Sequence, residues 1–227
     1  MPILHPPAYT PPPRLTPRPV FRRALSGRLP RLFFMTDQQT VPDWRAVLAH
    51  LPKKSGVILR DYNHPKRSQL ASDMAAECQT YHHLLLIGAD ISLAQKLSLG
   101  LHMPERLAPR LMWRMAQYRK GASARAAPHR HPITMAAHSF RAVRLAAQLG
   151  VDGVFLAPIF ATATHPKTAP LGVIRLASLC QYASFCGNLP IFALGGMDRA
   201  QWRRIKACGT YGYAAMRGFV PANRPTK

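Results

Sequence analysis

Short apolar segments alternate along the chain with longer segments whose apolar residues recur every three or four positions. The short runs have the length of buried strands, and the longer patterns are typical of helices with one buried face. The predicted strands span residues 32–36, 56–60, 83–87, 99–103, 133–138, 154–160, 191–194 and 211–216. The predicted helices span residues 42–51 (with Pro42 in the first turn), 66–80, 91–98, 106–120, 173–186 and 199–208, and another follows Ser139 as its cap.

This alternation predicts parallel strands joined by right-handed crossovers. Eight such units over about 190 residues favour an α/β fold of the (β/α)8 TIM barrel type over an open sheet. Functional residues of such barrels lie at the C-terminal ends of the strands. The residues that this rule brings to one mouth are Asp37, Arg60, Asp61, Gly88, His102, His138, Thr162, Thr164, His165, Gly195, Gly196 and Arg217.

The clearest transition from a strand to polar chemistry lies in residues 154–172. An apolar run leads into a loop with two hydroxyls, an imidazole and an ammonium, from Thr162, Thr164, His165 and Lys167. A rigid strand that leads into a polar loop is a common way to present functional groups, and an ordinary surface loop is the alternative.

The two ends of the chain differ in composition from the predicted barrel. Residues 1–30 contain nine prolines, five arginines and no acidic residue. This composition predicts a disordered basic arm, because too little apolar surface is available to offset the entropy of ordering. The predicted barrel occupies residues 31–220, and residues 221–227 form a tail. No apolar run approaches the roughly 18 residues of a membrane span, and four cysteines without metal-binding spacing favour reduced thiols in a cytoplasmic protein.

The charge of the chain narrows the class of its partners. The formal net charge is +22, with 31 lysines and arginines against nine acidic residues, which favours an anionic partner such as nucleic acid or a phosphorylated metabolite. Arg106, Arg110 and Arg114 share one face of a predicted helix. This face and the arm are compatible with weak, nonspecific nucleic-acid binding, and a merely solvated basic surface is the alternative.

Two strand ends are candidates for phosphate binding. Gly195 and Gly196 follow the seventh predicted strand, and residues 215–218 follow the eighth. In TIM barrels the loops after these strands commonly hold phosphate on backbone N–H groups, and glycine lets an oxyanion approach closely. A tight turn is the alternative explanation for the glycine pair.

Two further strand ends carry side chains suited to chemistry. His138 ends the fifth predicted strand, and an imidazole with a pKa of about 6.5 can transfer protons at neutral pH. Arg60 ends the second strand, where it can meet an anion. The structural alternatives are a hydrogen-bonded histidine and an ion pair between Arg60 and Asp61.

Several of these segments resemble the thiamine phosphate synthase and thiazole tautomerase (TenI-like) family. The similarity spans about residues 31–220 and is carried by residues 153–166, 171–172 and 193–196, with further likeness at residues 32–37, 57–60, 101–102 and 136–139.

The resemblance implies a barrel that handles thiazole phosphate in thiamine assembly. The synthase branch joins this thiazole phosphate to a pyrimidine diphosphate, releases pyrophosphate and uses Mg²⁺. The implied site residues are Thr162 and Thr164 in the thiazole-phosphate loop, Gly196 with the backbone of Met216 and Arg217 as the phosphate cradle, Arg60 at the diphosphate, and His138 as the catalytic histidine of the tautomerase branch.

The departures from the synthase pattern fall mainly on the metal and diphosphate side. An Asn-Asp pair after the third strand is replaced by Gly88-Ala89, and a longer acidic turn after the fourth is shortened to residues 103–105. The other replacements are Ile58 for glutamine, Tyr62 for lysine, Ala136 for serine, and His165 for lysine with Lys167 two residues further on. Mg²⁺ prefers anionic oxygen ligands, so no metal is expected unless Asp90 and Glu105 are recruited in a synthase.

Three hypotheses follow from these matches to, and departures from, the family pattern. The first is a TenI-like enzyme without a cofactor that moves a proton on a thiazole phosphate carboxylate, with His138 as acid and base. The second is a divergent Mg²⁺-dependent synthase that uses Lys167 at the diphosphate. The third is a catalytically silent barrel whose basic surface binds nucleic acid or an acidic partner. A homo-oligomer is compatible with each of them.

Overall fold

The protein folds into a closed barrel of eight parallel strands, as seen in a computed structural model that describes residues 29–124, 131–162 and 168–220. The strands follow one another in chain order, and the first pairs with both the second and the eighth, which closes the ring. The predicted (β/α)8 architecture is therefore confirmed. The predicted disordered arm of residues 1–30 and the tail lie almost entirely outside the described residues.

The strands are β1 Leu32–Met35, β2 Gly56–Leu59, β3 Leu84–Gly88, β4 Gly100–Met103, β5 Ile133–Ala137, β6 Gly153–Leu156, β7 Ile191–Ala193 and β8 Gly212–Ala215. The helices are α1 Trp44–His50, α2 Arg67–Thr80, α3 Ile91–Leu97, α4 Ala108–Ala124, α5 Phe140–Leu149, α6 Gly172–Phe185 and α7 Arg199–Ile205. Short 3₁₀ turns span Glu105–Leu107, Lys206–Cys208 and Arg217–Phe219.

Alternate residues of each strand face the barrel axis and fill it with side chains. The inward-facing apolar cluster consists of Leu29, Phe33, Met35, Ile58, Leu86, Phe155, Phe192 and Ala214. Its centre is aromatic, since the rings of Phe155 and Phe192 stack with centroids 4.7 Å apart and Phe33 meets both edge-on at 5.1 Å. A Cβ on Gly56 would lie 2.1 Å from the Phe33 ring, so a glycine on β2 makes room for it.

Side chains that face outward from the strands pack against the helices and form a second apolar layer. Four helices begin at a side-chain cap, in which Asp43, Asp90, Ser139 or Asp198 accepts a hydrogen bond from the N–H three residues later. The predicted cap at Ser139 is therefore confirmed. The prediction that Pro42 lies in the first helical turn is wrong, because Asp43 caps the helix and the helix begins at Trp44.

Two predicted boundaries differ for identifiable reasons. The strand predicted over residues 154–160 ends at Leu156, because Pro158 has no N–H for the ladder. Beyond it, Ile159 and Phe160 still donate to the carbonyls of Leu194 and Gly195. These bonds join the loops after β6 and β7.

The predicted basic helix face is also interrupted. A 3₁₀ turn at Glu105–Leu107 precedes α4, so Arg106 leaves the helical register of Arg110 and Arg114. Arg114 instead donates to the Ser92 hydroxyl. In the part of the chain that the structure describes, no helix combines the length and apolar character needed to cross a membrane.

Replacing Phe192 by alanine is expected to lower the free energy of unfolding by about 3–5 kcal/mol, because a fully buried ring is lost and a cavity remains. Chemical denaturation measures this change. Phe185 is 95% exposed, and Phe185→Ala is the matched control, expected to stay within about 0.5 kcal/mol of wild type. Equal effects of the two substitutions would contradict the packing of Phe192 in the barrel interior.

Candidate functional site

A cavity of about 940 Å³ opens at the C-terminal ends of the strands. Most strand-end residues singled out in the sequence line it. The polar, charged and glycine residues of its lining are Arg60, Tyr62, His102, Glu105, Arg106, His138, Ser139, Thr162, Thr168, Gly195, Gly196, Arg217 and Gly218. Met216 lines it as well, whereas Thr164, His165 and Lys167 lie outside the described residues.

The glycine pair after β7 has a backbone that other residues rarely adopt, with φ of 91° at Gly195 and 63° at Gly196. A Cβ on Gly195 would lie 2.7 Å from Cα of Pro158, and one on Gly196 would lie 2.8 Å from the carbonyl oxygen of Ala161. Glycine is thus required by the neighbouring β6 loop as well as by the turn. After β8, a short 3₁₀ helix begins at Arg217, the arrangement that holds phosphate in many TIM barrels.

Alternate residues of β2 face the barrel interior. Arg60, directly after this strand, is the next residue in that pattern and lies at the mouth. Its backbone N–H donates to the Thr36 hydroxyl at 3.0 Å, and its Nη1 lies 3.1 Å from Sδ of Met216 on the β8 side. A thioether is a weak acceptor, so most of the donors of the guanidinium stay available to a stronger one. Asp61, the alternative ion-pair partner, accepts from Thr36 Oγ1 and from Gln38 N instead.

His138 is held in one orientation at the end of β5. Its Nδ1 lies 2.6 Å from the carbonyl oxygen of Ala157, and its backbone N–H donates to Glu105 Oε2 at 3.0 Å. A carbonyl oxygen only accepts, so Nδ1 must carry the proton. In the neutral ring Nε2 then has the lone pair, which is the form that a general base needs.

His102 lies deeper, on the inward face of β4, and only 3% of it is exposed. Its Nδ1 is 2.9 Å from the Thr134 hydroxyl, and its ring packs edge-on against Phe155. Burial, and to a smaller extent the positive charge of Arg60, lowers the pKa of His102 from 6.5 to about 3. The imidazole is therefore neutral across the physiological range.

Two carboxylates near the mouth, those of Asp90 and Glu105, are engaged by protein groups. Asp90 accepts from Leu93 N and pairs with Arg67 at 3.2 Å, while one oxygen of Glu105 is taken by the backbone of His138. The Arg67 guanidinium also donates to the Gly88 carbonyl at 2.6 Å, which adds a fixed positive charge beside Asp90. Over the described ranges, no group of three or more potential metal-ligating side chains exists.

Sequence reasoning missed Arg106 and Ser139 as lining residues. Arg106 was assigned to a helix face, although it follows β4 by only three residues and comes after Pro104. Proline directly after a strand is a signal that the helix starts later, and this signal could have placed Arg106 at the mouth.

Comparisons of the sequence with known proteins point to thiamine phosphate. The sequence model of the family described as "TMP-TENI: Thiamine monophosphate synthase" matches residues 32–219. The chain is 30% identical over 202 residues to the "Putative thiamine-phosphate synthase 2" of Aquifex aeolicus, covering 85% of this chain and 98% of that protein. It is 26% identical over 182 residues to the "Thiamine-phosphate synthase" of Prochlorococcus marinus, of which it spans 48%.

Solved structures agree on the fold. The "Thiamine phosphate pyrophosphorylase" of Pyrococcus furiosus matches with a TM-score of 0.66 at 17% identity, covering 85% of this chain and 88% of that one. An aldolase/citrate lyase family protein of Burkholderia cenocepacia matches with a TM-score of 0.61 at 13% identity, covering 87% and 94%. At such identities the likeness shows the barrel alone.

The stability of the protein is expected to depend on the protonation of His102. The unfolded chain binds a proton there below about pH 6.5, but the folded protein binds it only near pH 3, so stability falls as the pH drops through this window. When the pH is lowered from about 7 to about 5, the free energy of unfolding of wild type should fall by about 2 kcal/mol more than that of His102→Gln.

Urea denaturation near the two pH values measures this difference. His50→Gln, on the surface of α1, is the matched control and is expected to behave as wild type. If wild type and His102→Gln lost equal stability, the neutral buried state of His102 would be contradicted.

Proposed function

This chain belongs to the TMP-TENI family of thiamine monophosphate synthases, and we propose that it is a tautomerase-type enzyme that moves a proton on a thiazole phosphate carboxylate. The observation that carries the proposal is the orientation of His138. With Nδ1–H donated to the Ala157 carbonyl, Nε2 is the basic atom of a side chain that lines the cavity.

The proposed reaction needs one group that first accepts and then donates a proton. A proton leaves one carbon of the substrate for Nε2 of His138, a double bond shifts, and the imidazolium returns a proton to another carbon. Nothing else is consumed, so the site has to bind one phosphorylated substrate and no metal diphosphate. The hydrogen bond to the Ala157 carbonyl stabilises the transient imidazolium.

The phosphate of this substrate is proposed to bind between the ends of β7 and β8. Gly196 and the backbone of Met216 and Arg217 supply N–H donors, and the guanidinium of Arg60 approaches the same side through Met216. Thr162 is proposed to contact the thiazole phosphate. The same role for Thr164, His165 and Lys167 stays a prediction from the family resemblance.

Replacing His138 by glutamine is expected to reduce tautomerisation by about 10²–10⁴-fold, the usual contribution of a general acid–base group. Proton NMR of the thiazole phosphate carboxylate tautomers measures the rate, and calorimetry is expected to show that ligand binding survives. His50→Gln is the matched control and should turn over as wild type. Unchanged turnover by His138→Gln would contradict the proposal.

A second candidate function is the synthase reaction, which is favoured by the names of the relatives from Aquifex and Prochlorococcus. The hydrogen bonds and the ion pair that engage Asp90 and Glu105 weigh against it.

Thiazole phosphate, pyrimidine diphosphate and Mg²⁺ are therefore expected to yield no pyrophosphate above background, because the carboxylates near the mouth are committed to protein groups. A coupled pyrophosphate assay measures this. EDTA is expected to leave the tautomerisation rate unchanged. Pyrophosphate release that requires Mg²⁺ and is lost in Glu105→Gln would favour the synthase instead.

A further inference from the structure

The cavity carries positive charge at two opposite sides of the barrel mouth. Resting on the proposed thiazole phosphate function, we infer that Arg106 forms a second anion-binding subsite, separate from the phosphate site at β7 and β8. The preferred ligand is then one with an anionic group at each end, a phosphate at one and a carboxylate at the other. Arg106 is the residue that selects for the carboxylate.

The position of Arg106 follows from the order of the strands. In a closed ring of eight strands in chain order, β4 lies opposite β8. Arg106 follows β4 by three residues and Arg217 follows β8 by two, and both line the cavity. Arg60 extends toward Met216 on the β8 side. The two sites therefore face each other across the mouth.

The turn that carries Arg106 is fixed to the barrel. Glu105 accepts the backbone N–H of His138, and the N–H of Leu107 donates to the carbonyl of Pro104 at 3.0 Å. Leu107 packs against the apolar layer between the strands and the helices. Arg106 lies between these two anchored residues, so its backbone is held at the cavity rim.

The guanidinium of Arg106 lines the cavity and is not taken up by a protein acceptor among the described residues, in contrast to those of Arg67 and Arg45. Arg67 is used by Asp90 and by backbone carbonyls, and Arg45 pairs with Asp73 and Glu77. Among the described residues, no hydrogen bond or ion pair holds the Arg106 side chain. A carboxylate can accept two parallel N–H bonds from such a group.

The rest of the lining supports an anion at this position. The described lining contains three arginines against one carboxylate, Glu105, and that carboxylate is hydrogen-bonded to the backbone of His138. Ser139 also lines the cavity as the cap of α5, a ten-residue helix whose positive dipole end faces the same side.

The subsite fixes the orientation of the bound substrate in the cavity. Arg106 neighbours Glu105, and Glu105 contacts His138, so a carboxylate bound by Arg106 lies on the same side of the cavity as the proposed base. The phosphate end then points toward Arg217. A positive charge beside the carboxylate also stabilises negative charge that develops when a proton leaves the adjoining carbon. Arg106 is thus a positioning residue for the proposed proton transfer.

Calorimetry with two ligands tests the subsite without relying on turnover. Wild type is expected to bind thiazole phosphate carboxylate about 10–100-fold more tightly than thiazole phosphate, as a charge-assisted pair implies. In Arg106→Gln the two affinities should become nearly equal while that for thiazole phosphate is unchanged. Arg110→Gln, in the first turns of α4 and outside the cavity lining, is the matched control and should keep the wild-type ratio.

Two further outcomes separate this inference from the proposed reaction. Arg106→Lys keeps the positive charge but loses the parallel N–H donors of the guanidinium. The ratio of the affinities for the two ligands is therefore expected to lie between those of wild type and Arg106→Gln. A wild-type ratio in Arg106→Gln would overturn the subsite even if tautomerisation were observed. A ratio lost in Arg106→Gln, with no tautomerisation by wild type, would keep the subsite and overturn the proposed reaction. Binding of neither ligand would overturn both.

Discussion

The inward face of a closed eight-stranded ring has to be filled, and this constraint shapes everything above it. Phe33, Phe155 and Phe192 fill the centre, and glycines on neighbouring strands leave space for their rings. Because side chains alternate along each strand, the next inward positions toward the mouth are fixed as soon as these rings are placed. His102 packs directly on Phe155, and Arg60 follows two residues after the inward Ile58. The packed interior thus provides an apolar base on which polar groups are held.

The mouth combines backbone turns suited to an anion with a lining that contains more arginine than carboxylate. The glycine pair after β7 and the turn after β8 are the parts suited to a phosphate. The nine acidic residues of the chain are mostly engaged in structure, with Asp43, Asp90 and Asp198 as helix caps. What remains at the cavity is mainly guanidinium and imidazole, which suits the recognition of anions and the transfer of protons.

Much of this arrangement could be predicted from the sequence because it depends on periodicity. The eight strands were predicted from apolar runs, and Arg60 and His138 were placed at the mouth because each ends a strand. The roles of individual atoms depend on contacts between distant segments and could not be predicted in this way. The proton on Nδ1 of His138 follows from the carbonyl of Ala157, just after the next strand. The engagement of Asp90 follows from its ion pair with Arg67 on α2. Arg106 was misplaced because a helical pattern continued through a 3₁₀ turn.

The three arginines around the mouth also bear on how quickly a ligand arrives. A cleft lined by one sign of charge concentrates counter-charged molecules before any contact is made, which raises association rates by about 10–10³-fold at low ionic strength. The net charge of +22 extends this attraction beyond the cavity. For a ligand with two anionic groups, this attraction raises the rate of association, and the ionic strength sets by how much.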